Sequence, residues 1–189
     1  GYDFAVSEGG YDVGFLISED PRADLSKAAA AWFGSQPETM VAVTGTNGKT
    51  SVASFTRQIW EELGYAAVNF GTTGVEGAVA APLSHTTPEP ITLHALLADL
   101  AAQDVTHAAM EASSHGLEQR RLDGVRLSAA GFTNLSRDHL DYHADIGDYF
   151  DAKAGLLRRV LPADGVSVLN VDDPAGAALA AELTGPKIT

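Results

Sequence analysis

The chain contains no cysteine among its 189 residues. That absence excludes disulfides, a thiolate nucleophile and any zinc or iron–sulfur centre held by sulfur, and it fits a reducing compartment. Basic residues are scarce too: 12 Lys and Arg stand against 25 Asp and Glu, a net charge of −13. They are scattered along the chain, so a nucleic-acid backbone would be repelled and no nucleic-acid partner is expected. No apolar run reaches the ~20 residues that a membrane helix needs, so no membrane span is expected. The first basic residue is Arg22, which leaves no charged n-region for a secretory signal, and the expected setting is cytoplasmic. What is present is an apolar content of 45%, enough for a packed core.

A length of 189 residues suits one domain of ordinary size. The ends suggest otherwise. The sequence opens at Gly1 without an initiator Met and stops at Thr189 inside "GPKIT", which reads as the start of a strand. The expectation is a piece of a larger protein.

Apolar runs that read as buried strands alternate with helical periodicity. "VGFLIS" (Val13 to Ser18) is the first run, followed by the Ala-rich helix "ADLSKAAAAWFG", closed by Gly34, and a linker "SQPE". "MVAVT" then leads through a glycine-rich turn into a helix with apolar residues at Val52, Phe55, Ile59 and Leu63, capped by Gly64. "YAAVNF", a long loop from Gly71 to Pro90, the helix "ITLHALLADLAAQ" with Leu93, Leu96, Leu97 and Leu100 on one stripe, and the strand "VTHAAM" come next. An irregular polar stretch "EASSHGLEQRR" precedes "LSAAGFTN", a helix through "DYFDAKAGLLRRV", the strand "VSVLNV" and the helix "PAGAALAAEL". This alternation predicts an α/β fold with a mainly parallel sheet flanked by helices.

"VAVTGTNGKTS", Val41 to Ser51, runs from a strand through Gly45 and Gly48 into a helix opened by Lys49, Thr50 and Ser51. Glycines let backbone N–H groups approach phosphates, the helix N-terminus adds partial positive charge, Lys49 can reach terminal phosphates and the Thr50 hydroxyl can bind Mg²⁺. The strict P-loop has a further glycine where Val43 stands, so this is a shorter G-x-x-G-K-T variant. Lysine is rare here, with four in the chain (Lys27, Lys49, Lys153 and Lys187), which argues against a casual lysine at this spot. Glu111 ends a predicted strand, where open α/β sheets present residues to ligands.

Five segments, "TGTNGKTS", "HTTP" (His85 to Pro88), "EASSHGLEQRR" (Glu111 to Arg121), "FTNLSRDHLDYH" (Phe132 to His143) and "YFDAKAGLL" (Tyr149 to Leu157), stand in the order and spacing of the Mur ligases. The chain resembles the MurE type of that family, which acts on UDP-N-acetylmuramoyl-L-alanyl-D-glutamate. MurC-type relatives usually carry His at the place of Asn47, and folylpolyglutamate synthases carry Gly at the place of Thr50. The resemblance implies a P-loop NTPase-like central domain, here incomplete, over residues 37–189. Residues 1–36 would be the end of an amino-terminal domain that holds the uridine part of the substrate, and a carboxy-terminal amino-acid domain would be absent.

The implied reaction is ATP-dependent. A D-glutamyl carboxylate is phosphorylated and the amine of diaminopimelate or lysine displaces phosphate, forming an amide in peptidoglycan precursor synthesis. The implied cofactors are ATP and Mg²⁺, the partners UDP-MurNAc-dipeptide and the amino acid, and the expected state a monomer. By the same resemblance Gly45, Thr46, Asn47, Gly48, Lys49, Thr50 and Ser51 bind ATP. Thr50, Glu111, His139 and Lys153 attend metal, with Lys153 carbamylated by CO₂. Thr86, Thr87, Ser113, Gln119 and Arg121 hold the dipeptide substrate. Lys49, Lys153 and His139 are the implied catalytic residues.

Other readings attach to the same residues. His139 and His143 stand at i, i+4, as zinc ligands do, but no Glu follows His139 to complete H-E-x-x-H, and a capping or surface role suits His143. Thr86 and Thr87 could cap the helix before Pro88. "GTTGVEG" after Phe70 lacks the spacing of a dinucleotide fingerprint and reads as a mobile loop near the substrate. For the whole chain the alternatives are a catalytically silent nucleotide- and substrate-binding fragment, a folylpolyglutamate synthase relative, or a P-loop switch or transport ATPase, the last of which "EASSHGL" fits poorly.

Overall fold

The computed structural model describes residues 17–138 and 142–189. Most of the strand expected at Val13 to Ser18, and His139, therefore lie outside the described residues.

The strands β1 (Thr39–Thr44), β2 (Ala67–Gly71), β3 (Gly74–Gly77), β4 (His107–Glu111), β5 (Ala129–Phe132), β6 (Val166–Leu169) and β7 (Lys187–Ile188) form one sheet in the order β3-β2-β4-β1-β5-β6-β7. All pairings are parallel except β2 with β3. The helices are α1 (Pro21–Phe33), α2 (Lys49–Glu62), α3 (Pro90–Ala102), α4 (Ser114–Glu118), α5 (Ile146–Gly155) and α6 (Pro174–Glu182). A π-helical turn, Leu156–Val160, continues α5.

Side chains two apart on a strand share a face, and the sheet uses its two faces differently. Met40 and Ala42, Val68 and Phe70, and Ala108 and Met110 are buried in one apolar cluster with Leu93, Leu97 and Leu100 of α3. At alternate positions, Ala67, Asn69 and Ala109 are buried outside that cluster. Asn69 there accepts a hydrogen bond from Arg57 Nε of α2 at 2.6 Å, so α2 and α3 lie on opposite faces.

Local signals explain the helix ends. Asp20 caps α1 by accepting from the Ala23 N–H at 3.1 Å, with Pro21 as the first helical residue. Gly34 closes α1 in the left-handed region, φ 73°, and its N–H reaches the Ala30 carbonyl at 2.9 Å. Ala23, Ser26 and Ala29 form the buried side of α1, which packs on α3.

Two expectations change. "GTTGVEG" is a tight reversal into the antiparallel strand β3, not a loop: Gly71 pairs with Gly74 and Val68 with Gly77. The polar stretch after Glu111 contains the short helix α4, capped by the Ser113 hydroxyl, which accepts from the Gly116 N–H at 3.1 Å. Val52, Phe55 and Ile59 of α2 and Leu63 at its C-cap are exposed, and the buried side of that helix is Ala53.

Candidate active site

The carboxyl ends of β1, β2 and β4 open into a cleft of about 570 Å³, where ligands bind in open parallel sheets. Val43 of β1 is in register with Glu111 of β4, which sets the phosphate loop beside that carboxylate. Thr46, Asn47, Gly48, Lys49 and Thr50 line the cleft, together with Thr86, Thr87, Glu111, Ser113, Gln119, Arg121 and Lys153. The structure thus brings together most of the residues singled out from sequence. Gly45 is buried and not among the lining residues, and Ser51 is an exposed residue in the first turn of α2.

The loop owes its form to two glycines. Gly45 has φ 138°, and a Cβ there would lie 1.9 Å from Thr133 Oγ1; Gly48, at φ 84°, is the N-cap of α2. A glycine cap offers no side-chain acceptor, so the first-turn N–H groups of α2 have no side-chain cap and their partial positive charge suits an anion. Neighbouring segments brace the loop. Thr46 N–H donates to the Asn134 carbonyl at 2.9 Å, Asn47 N–H to Asn134 Oδ1 at 3.1 Å, and Thr133 Oγ1 to the Asn47 carbonyl at 2.6 Å.

Two lysines converge on one carbonyl. Lys49 Nζ and Lys153 Nζ each donate to the Gly45 oxygen at 2.9 Å, and Lys49 donates also to the Thr46 carbonyl. Burial pushes both amines below the usual lysine range. For Lys49 the carboxylates of Glu111 and Asp138 oppose that shift. For Lys153 the Lys49 charge adds to burial, Asp138 opposes, and the result is about 7. Lys153 is 1% exposed, with its Nζ 4.4 Å from the centroid of the Tyr149 ring.

Glu111 is 2% exposed. Its Oε1 accepts from the Thr72 N–H at 2.9 Å and its Oε2 from the Thr72 hydroxyl at 3.3 Å. Gly71 is required beside it, since a Cβ would stand 2.2 Å from Glu111 Oε1. Among the described residues no cluster of three or more His, Cys, Asp or Glu could hold a metal. Thr50 and Glu111 nevertheless offer oxygen donors, which suit Mg²⁺, an ion that uses few carboxylates, keeps water and takes phosphate oxygens.

On the other wall, Thr87 is committed internally. Its hydroxyl donates to the Glu111 carbonyl at 3.1 Å and accepts from the Ser113 N–H at 3.0 Å. It does not cap α3, whose N-cap is Glu89. Thr86 Oγ1 lies 3.1 Å from Thr72 Oγ1. Arg121 Nη1 donates to the Thr87 carbonyl at 2.7 Å, while its Nε and Nη2 grip Gln119 Oε1 at 3.1 and 2.7 Å. A guanidinium held this way is oriented before an anion arrives.

Sequence reasoning missed several residues that shape the site. Thr72, His115 and Asp138 line the cleft, and Thr133 and Asn134 brace the loop. Asp138 stood inside the quoted "SRDH" segment and was legible there. Thr72 was not, because only pairing of β2 with β4 brings it to Glu111. His143 is buried, not a surface residue, with Nδ1 3.2 Å from Asp148 Oδ2 and, among the described residues, no hydrogen-bond partner at Nε2.

The Mur ligase middle domain matches residues 43–189. The chain belongs to the Mur ligase family. It is 56% identical over 188 residues to a UDP-N-acetylmuramoyl-L-alanyl-D-glutamate–2,6-diaminopimelate ligase of Brucella melitensis, covering 98% of this chain and 38% of that protein. It is 60% identical over 170 residues to the protein of that name from Agrobacterium fabrum, covering 86% and 34%. A solved structure of a ligase of the same name superposes with a TM-score of 0.79 at 33% identity, over 92% of this chain and 37% of that one. A folylpolyglutamate synthase of Mycobacterium tuberculosis, solved with ADP, superposes with a TM-score of 0.65 at 21% identity, over 89% and 46%, a likeness of fold. The chain thus spans little more than a third of the length of the curated relatives cited.

Proposed function

We propose that the protein carrying this domain is an ATP-dependent amide ligase of peptidoglycan precursor synthesis, working in the cytoplasm. It would join diaminopimelate to the D-glutamyl carboxylate of UDP-N-acetylmuramoyl-L-alanyl-D-glutamate. The names of the relatives favour diaminopimelate over lysine. One observation carries the reading: the uncapped α2 terminus with Lys49, the Glu111 carboxylate and the preoriented Arg121 face one cleft. A binding site for two anionic partners needs these elements within a chain of net charge −13.

The chemical difficulty is to bring a carboxylate against a triphosphate, so positioning and charge neutralisation must do most of the work. Gly48, Lys49, Thr50 and Ser51 would hold the phosphates, with Lys49 on the terminal ones. Thr50 and Glu111 would hold Mg²⁺, which when bound supplies charge neutralisation. Arg121, with Gln119, would take an anionic group of the dipeptide substrate, and Thr86 and Ser113 would add hydrogen bonds. The γ-phosphoryl group passes to the carboxylate oxygen with ADP leaving, and the amine then displaces phosphate as it loses a proton.

Lys153 is assigned to carbamylation. Its neutral amine would add to CO₂: an N–C bond forms as one C=O π bond breaks with its electron pair passing to oxygen, and a proton leaves the nitrogen, so that a cation beside Lys49 becomes a carbamate whose oxygens would be offered to metal. A pKa of about 7 supports this by leaving a sizeable neutral fraction at neutral pH. His139 is assigned to a second Mg²⁺. By themselves the 189 residues are read as the nucleotide-binding and part of the substrate-binding machinery, without turnover.

The test uses the full-length protein. Phosphate release from ATP should require both the UDP-muramoyl dipeptide and diaminopimelate, and Lys49→Ala should lower it ~100-fold or more. Equal release without either substrate, or an unaffected Lys49→Ala variant, would overturn the assignment.

A further inference from the structure

The turn that carries Gln119 and Arg121 is held from behind by α1. Arg120, between them, has φ 60°, a left-handed conformation that is unfavourable for a side chain larger than glycine. Gln119 and Arg121 line the cleft, whereas Arg120 pairs with Asp20, the N-cap of α1, at 3.1 Å and with Asp123 at 3.6 Å. Such a conformation persists only where its surroundings impose it.

The decisive contact is Ser26 in the middle of α1. It is wholly buried, its hydroxyl donates to the Arg121 carbonyl at 3.0 Å, and it accepts from the Gly124 N–H at 3.1 Å. One hydroxyl thus closes both ends of the turn that follows Arg121. Space is tight there: a Cβ on Gly124 would lie 2.6 Å from the Ser26 carbonyl oxygen and 2.6 Å from His94 Nε2 of α3. Arg159 fastens the far side, pairing with Asp123 at 2.9 Å and donating to the Leu117 carbonyl at 2.8 Å.

We infer that Ser26 is a positioning residue for substrate binding, acting through the backbone of Arg121 so that α1, outside the matched 43–189 segment, sets the aim of the guanidinium. The inference rests on the reading of Arg121 as a contact for an anionic group of the dipeptide substrate. Removing the hydroxyl frees the Arg121 carbonyl and the Gly124 N–H, loosens the turn and lets the fork lose its orientation. The two hydrogen bonds of the Ser26 hydroxyl go to Arg121 and Gly124, neither of which belongs to the phosphate loop.

Ser26→Ala is made in the full-length protein and compared with Arg121→Ala and with the double variant. In Ser26→Ala the KM for UDP-muramoyl dipeptide should rise roughly tenfold, with kcat and the KM for ATP changed less than about twofold. In the Arg121→Ala background the same change should add nothing, because both act through one group. An unchanged dipeptide KM, or an undiminished effect once Arg121 is gone, overturns the positioning role. If Arg121→Ala itself leaves the dipeptide KM unaltered, the substrate reading of Arg121 fails in that single variant and takes the positioning role with it. Should thermal melting show that Ser26→Ala has lost its fold, Asp20→Asn breaks the more exposed pair with Arg120. A dipeptide KM raised about two- to threefold then supports the role, and an unchanged one overturns it.

Discussion

Helices α2 and α3 carry the same apolar periodicity and meet opposite environments. Leu93, Leu97 and Leu100 of α3 are at most 1% exposed, while Phe55 and Ile59 of α2 and Leu63 at its C-cap are 60–66% exposed. The reason lies in the sheet. Beneath α3 stand Met40, Val68, Phe70 and Met110, which offer large side chains to interdigitate. Beneath α2 stand Ala67, Ala109 and Asn69, which admit a helix through Ala53 and hold it with Arg57. At ~100° per residue, Ala53 lies about one residue's rotation from the stripe that starts at Val52. Amphipathicity specifies a helix and an apolar side. It does not specify which side meets the sheet.

If that contrast is energetic, the largest effect belongs to the α3 face. Leu97→Ala should destabilise this chain by about 3–5 kcal/mol in urea unfolding, from lost burial and the cavity left among Met40, Phe70 and Met110. A loss below about 1 kcal/mol would show that the α3 face is no better packed than the α2 face.

His94 gives α3 a second signature that α2 lacks. Burial, aided by the charge of Arg126, pushes its pKa down from 6.5 to about 4. Above pH 6.5 the imidazole is neutral in both states and costs nothing. As pH falls from 6.5 toward 4 the unfolded chain binds a proton that the folded chain refuses, so stability falls with a loss approaching about 2–3 kcal/mol. Urea midpoints measured across that window should show the fall, and His94→Leu should flatten it. An identical slope in the variant would place the proton uptake elsewhere.

The same distinction explains what was legible in the sequence. Apart from β3 and α4, the order of strands and helices was readable because elements carry their own signals, such as Gly34 after α1 or the leucine stripe of α3. The phosphate loop was readable because Gly45, Gly48 and Lys49 have local reasons to be adjacent. Partnerships across the sheet were not readable. Thr72 meets Glu111 only because β2 pairs with β4, Ser26 meets Arg121 across 95 positions, and β3 was hidden inside a glycine-rich segment whose hairpin depends on pairing with β2. Thr87 shows both sides: "TTP" pointed to the cleft wall, but no local signal reveals a hydroxyl already shared between Glu111 and Ser113.

The smallest expected effect is on the α2 stripe. Ile59→Ser replaces one residue by another of similar intrinsic helix propensity, so propensity contributes little to the difference. Full burial of an isoleucine is worth about 1.5–3 kcal/mol. At 60% exposure most of that gain has not been realised, and the cost in this chain should stay below about 1 kcal/mol. The measurement is urea unfolding at two protein concentrations tenfold apart. A cost near 3 kcal/mol that shrinks on dilution would mean that copies of the chain cover the stripe in solution, whereas a small cost independent of concentration would establish that α2 is held by Ala53 and Arg57 and that its apolar side adds little to the stability of these 189 residues.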